Sequence, residues 1–134
     1  LEQARTTFET AIGDFGESAA LAYNLGLVEA YAGRIPEAAG RFARAVELDP
    51  RHLPARENFA GMLATLGRFE ESAAEYARAI EQAPKDPQTR VLYARVLAAL
   101  GRRDEAMEQV RAALAIAPGM PDARRLEARL RAAD

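Results

Sequence analysis

Few side chains in this chain could carry out a reaction, and they are scattered. His52 is the only histidine and there is no cysteine, so no second soft ligand shares a metal with it and no thiol stands beside it as a nucleophile. It reads as a surface residue in a turn. Ser18 and Ser72 belong to no nucleophile motif and read as a linker residue and a small packing residue. The glycines do not match the spacing of a phosphate loop. The acid pairs Glu70-Glu71 and Asp104-Glu105 stand where helices begin, and there negative charge complements the helix dipole by a few tenths of a kcal/mol. These residues argue against catalysis, with no catalytic residue, no metal site and no cofactor assigned. Recognition chemistry is better represented. Asn24 and Asn58 hold equivalent places in two successive stretches of similar sequence, and each amide offers a donor and an acceptor that can pair with an extended peptide backbone. Tyr23, Leu27 and Tyr31, spaced by four, make an amphipathic aromatic patch suited to an apolar or aromatic side chain. Arg95, Arg125 and Arg129 can meet carboxylates through bidentate contacts, or remain solvated.

The interval between the two asparagines is the chain's own period. Gly33, Gly67 and Gly101 recur at a step of 34, and Ala45, Ala79 and Ala113 with Pro50, Pro84 and Pro118 keep the same step. A fixed period of this length marks a solenoid, whose units bury their apolar faces only against neighbours. Apolar spacing of three and four predicts helices over about 19–32, 35–48, 53–66, 69–82, 87–100 and 103–116, preceded by one over about 2–13 and followed by one over about 121–132. Each glycine should end a first helix in the left-handed conformation, and each second helix should end before its proline. Small residues (Ala38, Ser72, Ala106) and large ones (Phe42, Tyr76, Val110) alternate in register and should interlock where helices cross.

Net charge is −2, which gives no case for a general polyanion binder, but its distribution is uneven: −4 over residues 1–50 and +3 over residues 87–134. No apolar run reaches the roughly 18 residues needed to cross a bilayer, so no membrane insertion is expected. A soluble chain is expected, its compartment open, with the cytoplasm the leading expectation. The chain opens at Leu1 within a helical pattern, which suggests a piece of something longer.

The run Ala22-Tyr23-Asn24-Leu25-Gly26 with Gly33, Glu37-Ala38, Phe42, Ala45 and Leu48-Asp49-Pro50 resembles the tetratricopeptide-repeat family, in one register throughout. The resemblance implies an all-α, right-handed superhelical solenoid of antiparallel helix pairs forming one domain over 1–134: a half repeat at 1–18, repeats at 19–52, 53–86 and 87–120, and a capping helix at 121–134. The sequence departs from the family's pattern at Ala22, Arg56 and Arg90, where a bulky residue is usual, and at Glu29, Leu63 and Leu97, where an aromatic is common. Thinner packing between repeats is then expected.

In this family the first helices line a concave groove. The resemblance places Tyr23, Asn24, Leu27 and Tyr31 there, then Glu57 and Asn58, then Val91, Leu92, Arg95 and Ala98, with Arg125 and Arg129 of the last helix. The implied function is a non-enzymatic interaction module for an extended peptide segment of a partner protein. The family's chaperone-tail binders carry Lys and Asn where Tyr23 and Leu27 stand, and only Asn58 matches their clamp, which argues against that ligand. Two other readings stay open: a scaffold using its convex face or ends, including self-association through the opening helix, and nucleic-acid binding by the Arg-rich end. The last is disfavoured, because Tyr23 and Tyr31 lie at the opposite end of the sequence from the Arg-rich cluster, and no nucleic-acid partner is expected.

Overall fold

The computed structural model describes residues 1–133, which form eight α-helices and no strand. In chain order they are α1 (Glu2–Phe15), α2 (Ala19–Tyr31), α3 (Ile35–Leu48), α4 (Leu53–Thr65), α5 (Phe69–Gln82), α6 (Pro87–Ala99), α7 (Arg103–Ile116) and α8 (Pro121–Ala132). None is long and apolar enough to cross a membrane.

The ends of the helices follow from single residues. Gly33, Gly67 and Gly101 have φ of 75°, 75° and 74°, a conformation open to glycine because it lacks Cβ. At Gly33 this turns the chain so that its own N–H donates to Ala30 O (3.0 Å) and the N–H of Arg34 donates to Glu29 O (2.9 Å). Two carbonyls left over by the helix are thereby satisfied. The first helices stop one residue earlier than their apolar pattern, because Ala32, Leu66 and Leu100 serve as caps. Second helices end differently. Asp49, Ala83 and Ala117, with φ of −140°, −134° and −132°, have left helical geometry, as a residue before proline is pressed to do.

Backbone contacts gather into two compact units, Leu1–Gly67 and a second beginning at Arg68. In the first, α1 packs on α2, α2 on α3 and α3 on α4. Ala22, Leu25, Ala38, Phe42 and Ala45 are buried there. A Cβ on Gly26 would lie 2.6 Å from the ring of Phe42, so only glycine admits the aromatic at this crossing. Complete burial of such a ring is worth about 1.5–3 kcal/mol. In the second unit α5 packs on α6, α6 on α7, and α8 on both α7 and α6. Its core joins Val91, Ala94, Leu97, Ala106, Val110, Ala113, Ala123, Leu126 and Leu130. Large and small residues interlock as their register requires.

At one set of departures from the family pattern the side chains make backbone hydrogen bonds. Arg56, Arg90 and Arg124 continue the same series at intervals of 34, and each guanidinium donates to the carbonyl of the proline six residues earlier. The distances are 3.0 Å to Pro50, 2.8 Å to Pro84 and 3.0 Å to Pro118. In each case the head satisfies a carbonyl in the turn that follows a second helix. Arg56 is buried by this arrangement. Glu29 is likewise buried and is neutralised by an ion pair with Arg34, whose Nη1 also approaches Glu2 at 3.7 Å.

Candidate functional site

In the first unit, two of the residues expected to recognise a ligand, Tyr23 and Asn58, meet, and Phe42 and His52 stand beside the Tyr23 ring. The start of α2 is held by Ser18, whose Oγ accepts the N–H of Leu21 at 3.2 Å. One turn on, the ring of Tyr23 lies 5.8 Å from that of Phe42 and 4.8 Å from that of His52. Asn58 Nδ2 donates to Tyr23 Oη at 3.4 Å, near the outer limit of a hydrogen bond. Asn24, Leu27 and Glu57 are half-buried, with part of each side chain in solvent. Tyr31 is 79 % exposed, so it does not pack against a preceding helix. Tyr23 packs forward, onto the residues that follow it in sequence.

His52 and Ser18 are corrections to the sequence reading. Neither is an idle surface or linker residue. His52 Nδ1 accepts the N–H of Ala55 at 3.2 Å and so caps α4, which fixes the imidazole in the orientation that meets Tyr23. The signal was available: Ser18, His52 and Asp86 form a series at intervals of 34, each with a side-chain acceptor immediately before a first helix. Asp86 completes it, taking the N–H of Gln88 at 2.9 Å.

In the second unit one expected site residue is misplaced. Val91 is completely buried in the core with Ala94 and Leu97, and its side chain faces no ligand. The turn of α6 there carries the hydrophobic seam onto a position that the second repeat gives to half-exposed Glu57. Leu92 is half-buried and Arg95 exposed. Arg95 and Arg125 both reach Asp122, at 3.8 Å and 3.6 Å, so this carboxylate already holds part of their charge. Arg129 lies on the edge of a cavity of about 620 Å³ lined also by Ala98, Arg103, Leu126, Leu130 and Ala132. Ala98 and Arg129 were expected on one wall, and the structure brings them to one cavity.

The acid pairs have structural work. Arg68 binds Glu71 through two bonds of 2.8 and 2.6 Å, and Arg102 binds Glu105 at the same two distances. These guanidiniums hold both carboxyls below the usual carboxylate range. Arg5 does the same to Glu2, while partial burial pushes the Tyr93 phenol up.

Paired antiparallel helices repeated at a constant interval, with side chains of the first helices half-exposed along them, define a helical-repeat solenoid. The chain belongs to the tetratricopeptide-repeat family: models described as tetratricopeptide repeat match residues 1–52, 23–87 and 63–130. Among solved structures it is similar to YrrB, described as a TPR protein with an unusual peptide-binding site, at 28 % identity and a TM-score of 0.86. That match covers 95 % of this chain and 66 % of YrrB. It is also similar to MamA from Desulfovibrio magneticus RS-1 (15 % identity, TM-score 0.92, covering 98 % of this chain and 75 % of that one). A tetratricopeptide-repeat protein from Parabacteroides merdae is a further match, at 20 % identity and a TM-score of 0.89, covering 95 % and 51 % of the two chains. The last two likenesses speak for the fold alone. No curated protein matches the chain.

Proposed function

We propose that this chain is a non-enzymatic interaction module that binds an extended peptide segment of a partner protein along its first helices. Tetratricopeptide repeats are in general interaction modules of this kind, and YrrB, similar in both sequence and structure, is described as having a peptide-binding site. The observation that carries the reading is the Tyr23–His52–Asn58 cluster. It presents an aromatic face and amide groups side by side, half-exposed, on helices pinned by side-chain caps. Asn24 and Asn58 supply the backbone contacts, and little is lost when Asn58 exchanges its long bond to Tyr23 for a peptide group. Tyr23, Leu27 and Tyr31 select an apolar side chain and Glu57 discriminates by charge; in the second unit Leu92 adds an apolar contact and Arg95, Arg125 and Arg129 discriminate by charge. A peptide array probed with the wild type and with Asn24→Ala/Asn58→Ala tests this. Loss of most spots in the double variant is expected, and an unchanged pattern would refute the backbone role.

Self-association is a second reading, favoured by α1. Phe8 is only half-buried, whereas Phe42, its equivalent one period later, is 1 % exposed, and Phe15 stands 87 % exposed. Such an apolar face invites a second copy. Sedimentation of the wild type beside Phe8→Glu should show association that the substitution abolishes; a strict monomer at high concentration would dismiss it.

A further inference from the structure

The cavity beside α8 has the size, lining and charge of a specificity subsite. Its volume of about 620 Å³ lies in the range of ligand pockets, and Ala98, Leu126, Leu130 and Ala132 give it an apolar lining. Two arginines stand over it. Arg103 is anchored, its Nε donating to the carbonyl of Leu130 at 2.6 Å, so its charge is fixed at the wall. Arg129 is exposed and has no ion-pair partner among the described residues. Three acids of the adjoining helices are engaged elsewhere: Asp122 by Arg95 and Arg125, Glu105 by Arg102 at 2.6 Å, and Glu127 by Arg131 at 2.8 Å. Helix α8 carries four arginines against two acids. A cation with no ion-pair partner among the described residues, beside an apolar lining, selects a ligand that is apolar and anionic at adjacent positions.

We propose that this cavity receives one large apolar side chain of the partner segment, with a neighbouring aspartate or glutamate of that segment meeting Arg129. The proposal rests on the peptide-binding reading above and adds to it the place and chemistry of one subsite. A purely acidic ligand would leave the floor unused, and a purely apolar one would leave Arg129 unpaired. Nucleic acid would engage the charge without filling the hollow.

Three fluorescein-labelled peptides in one Gly-Ser frame test it by polarisation: Leu-Glu-Phe-Asp, the same with Lys at both acids, and the same with Ala at both apolar positions. The wild-type chain should bind the first about tenfold more tightly than either of the others. Arg129→Glu, on an exposed position, should reverse the preference toward the Lys peptide. Ala98→Trp, which fills the cavity, should weaken the first peptide about tenfold, with melting curves recorded for both variants. Equal binding of the three peptides, no binding of the first, an unchanged preference in Arg129→Glu, or equal competition by a single-stranded oligonucleotide would overturn the proposal. Asn24→Ala/Asn58→Ala separates the two readings. If it abolishes binding while Arg129→Glu and Ala98→Trp do not, the subsite falls and the first-helix reading stands; the reverse result removes the asparagines and keeps the subsite.

Discussion

The two units solve the same packing problem with different volumes. At the crossing of α2 and α3, glycine faces the full ring of Phe42, and a Cβ would collide with it at 2.6 Å. Two periods on, in the core of α6 and α7, Ala94 and Val110 take those register positions. Volume moves from one side of the crossing to the other while the backbone scheme is kept. The ligand-facing residues differ more. The first unit offers Tyr23 in contact with both His52 and Asn58 and carries more acids than bases. The second offers an apolar hollow under Arg103 and Arg129. Residues that repeat without change hold the framework, and residues that vary between repeats are where recognition can differ.

The largest expected effect tests the glycine crossing. Gly26→Leu should destabilise the first unit by on the order of 3 kcal/mol, read from urea unfolding, since no rotamer avoids the Phe42 ring. An unchanged midpoint would show that the helices separate freely. Next, Val110→Phe should overpack the second unit by about 1–3 kcal/mol, and adding Ala94→Gly should recover much of that loss despite the roughly 1 kcal/mol penalty of a helical glycine. Additive losses in the double variant would mean that the two crossings are not built alike.

The arginine that reaches a proline carbonyl occurs in both units, so its loss should weigh similarly in each. Arg90→Met keeps the stem, removes the bonds to Pro84 and Gln109 and should lower stability by about 1–2 kcal/mol. The caps are expected to separate the units. Asp86→Ala should cost about 1 kcal/mol through helix α6 alone. His52→Ala should cost about the same and also weaken peptide binding, because Tyr23 loses the ring beside it. Equal binding by His52→Ala and wild type would confine the histidine to capping.

The smallest effect is electrostatic and belongs mainly to the second unit. Glu71 and Glu105 titrate below the usual range because Arg68 and Arg102 bind their ionised forms. Their contribution is therefore present above the ordinary carboxylate pKa, near about 4.3, and is lost as pH falls through the depressed folded values. Glu71→Gln/Glu105→Gln should flatten the loss of melting temperature on acidification slightly, since exposed pairs contribute little. An identical acid limb would assign that loss to other carboxylates.

The framework was legible because its causes are local. A glycine forced to positive φ, a residue before proline and a run of small and large residues at fixed steps each act within a few positions, and helix boundaries came out within one or two residues of these marks. The roles of Arg56 and His52 were not legible residue by residue, and that of His52 shows only in its series with Ser18 and Asp86. An arginine in an apolar slot and a lone histidine in a turn read as departures when taken singly, and only the contact each makes with a backbone group explains it. Val91 was placed on the wrong side because the family's positions were carried over unchanged. The hydrophobic seam of α6 begins at Thr89 and takes in Val91, Ala94, Val96 and Leu97, which leaves that side chain in the core.

The central claim is that first-helix side chains make the contact with a partner segment. The most direct test is a chemical-shift map of the labelled chain titrated with a peptide captured on the array. The account predicts that the largest shifts fall on Tyr23, Asn24, Leu27, Tyr31, Asn58 and Arg129. Shifts confined to outward residues of the second helices, such as Glu47, Glu81 and Arg111, would contradict it.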